Sequence, residues 1–370
     1  MNIGITCRFS YSFNANGLNQ NIVLLYEALE LCGHDVFFLD YSDKDHKINP
    51  HPFIDNKKII PWSEYKDSYN KKVDIVFCPG ISANKELKDC TKLKNPKAKI
   101  VAVHYGNNLL SDIHEMLFKE EKSFYLMSPE SNVDHIVYSP HYKLAKQYYE
   151  CIERAPSSEI PYIWDPKFIE FDAETRGYSL GYKHSKKPNI AVAEPNLNIS
   201  KTCFLPILTI LKLLEENPDK INNAAIFANI FHDEKVDMSK VKYWLANQTI
   251  IKQYPQRVFF DPRRAFSYIL KEDNPIIFSH QFYNSLNYIY LEAMYFGHPL
   301  VHNSPEFKTY GYYYEGFNII DAKNCILNAV NNFKQDELLH KKAAKQLINK
   351  YSIKENIKGL NEMIERINNV

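Results

Sequence analysis

Short apolar stretches alternate with amphipathic stretches along nearly the whole chain. Residues 3–7 have the composition of a buried strand, residues 22–32 repeat apolar side chains at helical spacing, and residues 35–39 form the next apolar stretch. A strand, a helix and a second strand in this order make a βαβ unit, and successive βαβ units build a parallel sheet. The sequence therefore predicts an α/β fold.

The alternation runs through the chain twice, with a polar interruption between the two series. The chain has 370 residues, which is more than one hydrophobic core commonly fills. We predict two doubly wound, Rossmann-like domains facing a cleft, at residues 1–170 and 188–350, with a linker at 171–187. The predicted strands are 74–78, 100–104 and 135–139 in the first series, and 189–193, 224–228, 257–260, 275–279, 299–302 and 317–320 in the second. The predicted helices of the second series are 203–216, 262–271 and 286–296.

Composition and charge exclude several classes of protein. The net charge is +1 and no long basic run occurs, which argues against a nucleic-acid partner. Seven scattered cysteines without a C-x-x-C pair argue against a zinc site or a disulfide framework. Neither a secretory signal nor a transmembrane segment is evident, so we expect a cytoplasmic protein. The oligomeric state stays open.

The strongest local pattern is the segment 279–301. A predicted strand ends at Ser279, a polar loop with Asn284 and Asn287 leads into a helix, and Gly297 ends that helix. Within the helix, Glu292 could accept hydrogen bonds from two ribose hydroxyls, as acidic residues do in nucleotide sites. Helical position alone would favour an exposed glutamate without a function.

The sequence LEAMYFGHPLV at 291–301 resembles the LEAMA-G-PVV segment of GT-B glycosyltransferases. That family has two glutamates separated by seven residues. The second binds the ribose of the sugar donor and matches Glu292, whereas the first, which often contacts the donor sugar, falls on Asn284. This departure leaves the sugar donor and the mechanism open. Together with 301–305 and 311–314, the stretch 284–287 also resembles a GT-B-related family of unknown function, DUF2827, over most of the chain.

The loop 194–202 carries a second feature, because Lys201 precedes a predicted helix. A lysine at a helix N-terminus is disfavoured unless an anion lies nearby. The GT-B resemblance implies a phosphate-binding lysine here, which Lys201 matches. The arginine that accompanies it in the family has no counterpart in 194–198, and Arg263 or Arg264 could substitute for it. For both arginines, an ordinary surface position is an equally good interpretation.

Two further candidates lie in the first series. The loop 14–20 resembles the family's glycine-bearing loop, in which Gly17 would let the backbone approach the donor phosphates, although a simple loop before a helix explains it equally well. His104 ends a predicted strand, where the resemblance implies contact with the transferred sugar. His141 and His280 are weaker candidates. The resemblance also implies that the C-terminal helix, residues 351–370, crosses back to the first domain.

These observations predict a glycosyltransferase that moves a sugar from a UDP- or GDP-linked donor to a glycan, lipid-linked or protein acceptor. We expect no cofactor and no catalytic metal, because no H-x-x-x-H pair lies on a predicted helix. The catalytic candidates are His104 and Asn284. The candidates for binding the sugar donor are Gly17, Lys201, Arg263, Asn287 and Glu292.

Two alternatives remain open. A sugar-nucleotide epimerase uses a similar scaffold but needs carboxylates as acid and base, and few follow predicted strands, namely Asp40, Glu194 and Asp321. The asparagine at 284 leaves room for a catalytically degenerate GT-B protein that binds a glycan or a nucleotide. A Rossmann dehydrogenase is disfavoured, because no G-x-G-x-x-G motif follows a strand.

Overall fold

The computed structural model describes residues 1–9, 17–42, 51–118, 131–194, 196, 199–228 and 239–369. It divides the chain into two compact units. The first comprises residues 1–165 together with 349–370, and the second comprises residues 166–348. Each unit contains its own parallel sheet with helices between successive strands.

In the first unit, the described residues form a seven-stranded parallel sheet. Its strands are β1 Asn2–Cys7, β2 Asp35–Asp40, β3 Ile59–Pro61, β4 Ile75–Pro79, β5 Lys99–His104, β6 His135–Tyr138 and β7 Ser157–Glu159. The helices between them are α1 Gly17–Leu31, α2 Trp62–Asp67, α3 Lys85–Lys94, α4 Asn108–Phe118 and α5 Lys146–Glu153. The strand order is β3-β2-β1-β4-β5-β6-β7. The order reverses between β1 and β4, which leaves a crevice at the carboxyl ends of these strands.

In the second unit, the described residues form a six-stranded parallel sheet. Its strands are β8 Ile190–Val192, β9 Ala224–Ala228, β10 Val258–Pro262, β11 Ile276–Ser279, β12 Leu300–His302 and β13 Tyr312–Tyr313. Its helices are α6 Lys167–Thr175, α7 Phe204–Glu216, α8 Ser239–Ala246, α9 Thr249–Gln253, α10 Phe266–Asp273, α11 Tyr288–Tyr295 and α12 Ile319–Tyr351, of which residues 349–351 are counted with the first unit. The strand order is β10-β9-β8-β11-β12-β13, so the reversal and its crevice fall between β8 and β11.

The inner strands of both sheets are buried along nearly their whole length. The residues of β4 and β9 are all buried, as helices on both faces of a parallel sheet require. The continuous apolar runs in the sequence are the local cause of this burial, because a strand with one polar face could not be covered on both sides.

The last helix, α13 Ile353–Asn368, belongs to the first unit. Ser352 caps its N-terminus by accepting a hydrogen bond from the backbone N–H of Glu355 at 3.4 Å. A Cβ on Gly359 would come within 3.0 Å of the Pro161 ring, so the absence of a side chain allows the helix to pack closely here. Among the described residues, no helix is long and apolar enough to cross a membrane.

The predicted strand at 317–320 is wrong. The last strand is β13, and α12 begins at Ile319 because the Asn318 side chain accepts a hydrogen bond from the backbone N–H of Asp321 at 3.0 Å. Asp321 is therefore in the first turn of a helix and not at a strand end. The helix predicted from 286 begins later, at Tyr288, because Asn287 is extended and caps it.

The segment predicted as a linker, 171–187, lies within the second unit, and the division of the chain falls between Asp165 and Pro166. Helix α6 is anchored through its acidic side chains. Asp172 accepts a hydrogen bond from Ser267 of α10, and Glu170 accepts one from Tyr295 of α11. These contacts explain why a polar sequence forms part of a compact unit.

Candidate functional site

The crevice of the second sheet is lined by a buried polar cluster. Glu194 follows β8 and is fully buried, and its two carboxylate oxygens accept hydrogen bonds from Ser279 Oγ at 2.5 Å and from Gln281 Nε2 at 2.9 Å. Asn284 Nδ2 in turn donates to Gln281 Oε1. Burial raises the pKa of Glu194 to about 7, although the Ser279 hydrogen bond and the charge of Lys201 both oppose this rise.

The loop that joins β11 to α11 is held tightly around this cluster. The backbone N–H of Gln281 donates to Asn303 Oδ1 and its carbonyl accepts from Asn303 Nδ2, both at 2.9 Å. Tyr283 adopts a φ of 49°, a left-handed conformation that costs a residue of its kind about 1–2 kcal/mol. Strain of this kind is common in functional loops, and here it directly precedes Asn284.

Two cations approach each other beside the cluster. The backbone N–H of Phe282 donates to the carbonyl of Ser200 at 3.0 Å, which brings the Lys201 loop to the loop after β11. Burial lowers the pKa of Lys201, Glu194 opposes this change, and the nearby charge of Arg263 lowers the pKa further. Glu194 offsets part of the repulsion between the two cations, and an anionic ligand would offset it further.

Arg264, the other arginine considered from the sequence, is occupied elsewhere. Its guanidinium lies 3.5 Å from the Asp261 carboxylate and over the ring of Tyr268. The structure thus brings Arg263, and not Arg264, together with Lys201. The loop before α7 is tied down by Asn196, whose Oδ1 accepts from the backbone N–H of Cys203 at 2.7 Å.

Glu292 lies in α11 and is only 7% exposed, so the interpretation as an exposed helix residue is wrong. Burial, with a smaller contribution from the nearby carboxylate of Asp172, raises its pKa to about 8. Asp172 itself accepts hydrogen bonds from Arg176 Nε at 3.0 Å and from Ser267. Within the described parts of the chain, no donor forms a hydrogen bond with the Glu292 carboxyl group. A ligand with two hydroxyls would supply the missing donors.

Asn287 marks the start of α11. Its side-chain oxygen accepts a hydrogen bond from the backbone N–H of Ile289 at 3.4 Å, which makes it the N-cap. The first N–H groups of a helix carry a partial positive charge that suits an anion. The structural role of Asn287 is therefore to cap α11, and its contact with a sugar donor stays a prediction.

In the first unit, His104 ends β5 and is 7% exposed. Its ring stacks on Tyr149 with the ring centres 4.6 Å apart. Burial lowers the pKa of His104 to about 4, and a hydrogen bond with Asn108 opposes the shift, so the imidazole is neutral at neutral pH. Its Nε2 has no hydrogen-bond partner within the described residues and lies 3.9 Å from Glu153 Oε1. Burial raises the pKa of Glu153.

Gly17 is the first residue of α1 and is exposed, and its carbonyl accepts from Asn21 Nδ2 at 2.9 Å. The preceding loop residues, 14–16, lie outside the described residues. Nearby, Gly80 follows β4 with a φ of 68°, and a Cβ there would come within 2.4 Å of a Leu18 methyl group. The role of Gly17 in phosphate binding stays a prediction.

The two weaker histidine candidates lie among aromatic residues. His280 is buried and its Nδ1 is 2.9 Å from the hydroxyl of Tyr314. His141 lies against the rings of Tyr142 and Tyr162. Both positions fit a structural role. Among the described residues, no group of three His, Cys, Asp or Glu side chains is arranged to hold a metal ion.

Sequence reasoning missed two acidic residues and one amide of these sites, namely Glu153, Asp172 and Gln281. Glu194 was recognised only as a carboxylate after a strand. The polar run that follows β11 was the available signal, since two such strand ends that are neighbours in a parallel sheet bring their polar residues together.

A family model described as protein of unknown function, DUF2827, matches residues 3–364. The chain belongs to the DUF2827 family. The resemblance inferred from the motifs around residues 284–314 is therefore confirmed. No curated protein matches the chain.

Among solved structures, the DUF2827 chain is similar to GT-B glycosyltransferases. A sucrose-phosphate synthase from Thermosynechococcus elongatus has 11% identity and a TM-score of 0.58 over 99% of this chain and 98% of that one. The Escherichia coli trehalose-6-phosphate structure bound with UDP-2-fluoro glucose has 12% identity and a TM-score of 0.60 over 100% and 99% of the two chains. Staphylococcus aureus TarM, in complex with fondaparinux, alpha-GlcNAc-glycerol and UDP, has 15% identity and a TM-score of 0.53.

The TarM match covers 84% of this chain and 58% of TarM. At such low identities, the structural similarity establishes the fold and nothing about the chemistry. The predicted GT-B architecture, with two Rossmann-like parallel sheets, is thus confirmed.

Proposed function

We propose that this protein is a glycosyltransferase that transfers a sugar from a UDP- or GDP-linked donor to a hydroxyl of a glycan, lipid-linked or protein acceptor. The observation that carries the proposal is the chemistry of the second unit's crevice. Lys201 and Arg263 offer two cations, and Glu292 in the same unit offers a buried carboxyl that none of the described donors satisfies. A nucleoside diphosphate supplies the matching groups, two phosphates and a ribose diol.

Each group has a distinct part in binding the nucleotide. The Glu292 carboxylate accepts hydrogen bonds from the ribose hydroxyls. Lys201 and Arg263 neutralise the diphosphate, assisted by the N-terminal N–H groups of α11 after Asn287. Because negative charge accumulates on the diphosphate as the bond to the sugar breaks, the same cations stabilise the transition state. No metal or other cofactor is required in this scheme.

The sugar itself is uncharged and needs neutral hydrogen-bonding groups. Asn284 contacts the sugar of the donor, in the position where the GT-B family has a glutamate. His104 is neutral and so can accept a hydrogen bond from a sugar hydroxyl, and the Glu153 carboxyl group lies 3.9 Å from its Nε2. Gly17 lets the backbone approach the phosphates.

Two of the similar structures contain UDP or a UDP-sugar, which makes uridine nucleotides the first ligands to test. Melting temperatures should be measured with UDP, GDP, UDP-glucose and GDP-mannose, with ATP as a control. A ligand at 100 times its Kd stabilises the folded state by about 2.7 kcal/mol. We expect a clear rise with UDP or GDP and their sugars and little change with ATP. A protein that responds to none of the four would contradict the proposal.

Turnover tests the catalytic part separately. Release of the nucleoside diphosphate from the donor that binds should continue in the presence of EDTA. Loss of activity with EDTA and its recovery with Mn²⁺ or Mg²⁺ would contradict metal independence.

A second candidate is a GT-B protein that binds a nucleotide or glycan without catalysis. Asn284 favours it, because the glutamate of the family is missing at that position. Tight binding of UDP without any release from UDP-sugars, across a panel of glycan acceptors, would support this alternative. Nothing among the similar structures supports an epimerase.

A further inference from the structure

Asn284 raises a chemical question that rests on the proposed function. A glutamate at this position would offer only acceptor oxygens to the sugar. An asparagine amide offers an acceptor at one end and two N–H donors at the other. Whether the amide presents an acceptor or donors to the sugar therefore depends on the orientation of the amide.

A relay of hydrogen bonds fixes that orientation. The Glu194 carboxylate can only accept, so Gln281 turns its Nε2 towards Glu194 Oε2, at 2.9 Å. The Gln281 Oε1 then lies on the other side of the amide, where Asn284 Nδ2 donates to it. The carbonyl oxygen of Asn284 is the opposite end of its own amide, and so it forms the acceptor end of the relay.

The start of the relay is itself rigid. The other oxygen of Glu194 accepts from Ser279 Oγ at 2.5 Å, and the backbone N–H of His280 also donates to this carboxylate. Glu194 follows β8 and Ser279 ends β11, which are paired strands at the centre of the sheet. The backbone of Gln281 is held at both its N–H and its carbonyl by Asn303. A reversed amide would set like groups face to face and leave buried polar atoms without a hydrogen-bond partner.

We propose that Glu194 is a positioning residue that acts through Gln281 to make Asn284 present its carbonyl oxygen to a hydroxyl of the donor sugar. The asparagine thereby takes the acceptor role of a carboxylate. The relay needs Glu194 in its ionised form. The charge of Lys201 stabilises that form. The other titratable groups near the carboxylate are Cys203, Tyr290 and Tyr314, which stay uncharged because burial raises their pKa values.

The test is a cycle of Glu194→Gln, Asn284→Asp and the double variant, with Kd measured by calorimetry for UDP and for UDP-glucose. In Glu194→Gln, residue 194 can donate to Gln281, the relay reverses, and Asn284 turns its N–H groups to the sugar. In Asn284→Asp, two acceptors face each other at Gln281. We expect each single variant to lose about tenfold or more in affinity for UDP-glucose, with the affinity for UDP changed less than about threefold.

The double variant separates positioning from a merely structural role. With glutamine at 194 and aspartate at 284, the relay runs in the reverse direction with every group satisfied, and the aspartate offers an acceptor oxygen to the sugar. We expect the affinity for UDP-glucose to return to within about threefold of the wild type, a coupling that independent damage at two sites would not give. Glu337→Gln, which removes an ion pair with Lys341 elsewhere in the unit, is the matched control.

Two outcomes of this cycle would overturn the proposal. One is that Glu194→Gln binds UDP-glucose with unchanged affinity. The other is that the double variant binds UDP-glucose no better than the weaker of the two single variants. Melting curves establish that the variants fold, and if Glu194→Gln alone does not fold, the comparison of Asn284→Asp with the double variant still measures the rescue. If the wild type binds GDP and GDP-mannose instead, the same cycle is run with them. A wild type that binds none of the four ligands overturns the proposed function as well, whereas binding without the expected cycle overturns the positioning role alone.

Discussion

The two sheets share one topology, but their carboxyl edges carry different chemistry. In the second unit the edge carries charge, with Glu194 beside Lys201 and Arg263. In the first unit the end of β5 carries the neutral ring of His104, stacked on Tyr149, while β2 ends at Asp40. A doubly wound sheet fixes where a ligand lies, while the residues that follow its strands decide which ligand it is. Under the proposed function, the charged nucleotide binds to the second unit and the neutral His104 contacts the sugar.

Replacing His104 should have the largest effect and should separate the two units most clearly. For His104→Ala we expect turnover to fall about 100-fold or more, as the loss of a proton-transferring or sugar-contacting group does. The affinity for UDP should stay within about threefold of the wild type, because His104 belongs to the first unit. Steady-state kinetics and calorimetry provide the two values. His34→Ala, at the amino end of β2, is the control. Normal turnover of the His104→Ala protein would contradict a catalytic role for the first unit.

Glu292→Gln should weaken the binding of UDP by about ten- to a hundredfold. The substitution keeps the shape of the side chain but removes the charge that strengthens the hydrogen bonds of the ribose hydroxyls, each worth about 1.5–3 kcal/mol. Calorimetry with UDP checks this value. Glu170→Gln, in helix α6 of the same unit, should bind UDP normally. Equal affinities of Glu292→Gln and the wild type would exclude Glu292 as the ribose ligand.

The three cations near the crevice should differ in their effect. We expect Lys201→Ala to weaken UDP binding by about tenfold and Arg263→Ala by about threefold, since Lys201 is half-buried and Arg263 is exposed. Arg264→Ala should have no effect, because that side chain pairs with Asp261. Calorimetry at two salt concentrations checks the order, and higher salt should reduce the contribution of Arg263 first. If Arg264→Ala weakened UDP binding and Arg263→Ala did not, Arg264 would replace Arg263 as the residue that binds UDP.

The smallest predicted effect concerns pH. In the free protein the pKa of Glu292 is raised to about 8. Ribose hydroxyls bind the ionised form, so binding releases a proton and the affinity for UDP should rise with pH. If only the ionised form binds, the increase between pH 7 and pH 8 is about fivefold. The slope should disappear in Glu292→Gln. A slope of the same size in that variant would attribute the proton to another group, with Glu194 as the first to test.

The sequence predicted the architecture well because apolar runs and helical periodicity are local signals. Strands such as β9 and helices such as α7 begin and end close to their predicted bounds. Edge strands β3 and β7, each three residues long, carry too little pattern to be recognised. The strand predicted at 317–320 failed because the capping contact of Asn318 outweighed an apolar run.

Site residues were predicted only where a motif named them. Lys201, Arg263 and Glu292 lie in the second unit as expected, but their surroundings depend on contacts distant in sequence. The pairing of Glu194 with Gln281 spans 87 residues, and the influence of Asp172 on Glu292 comes from a segment predicted to be a linker. Hydrophobic periodicity and motif spacing do not predict such contacts between distant segments.

Hydrogen exchange with and without UDP, followed by mass spectrometry on the full chain, tests the central claim most directly. The claim is that the nucleotide binds at the carboxyl ends of β8 and β11. We predict slower exchange of backbone N–H groups in residues 199–204 and 281–292 when UDP is present, at a concentration that saturates the rise in melting temperature. Unchanged exchange in both segments under that saturating condition, with protection confined to the first unit, would contradict the account.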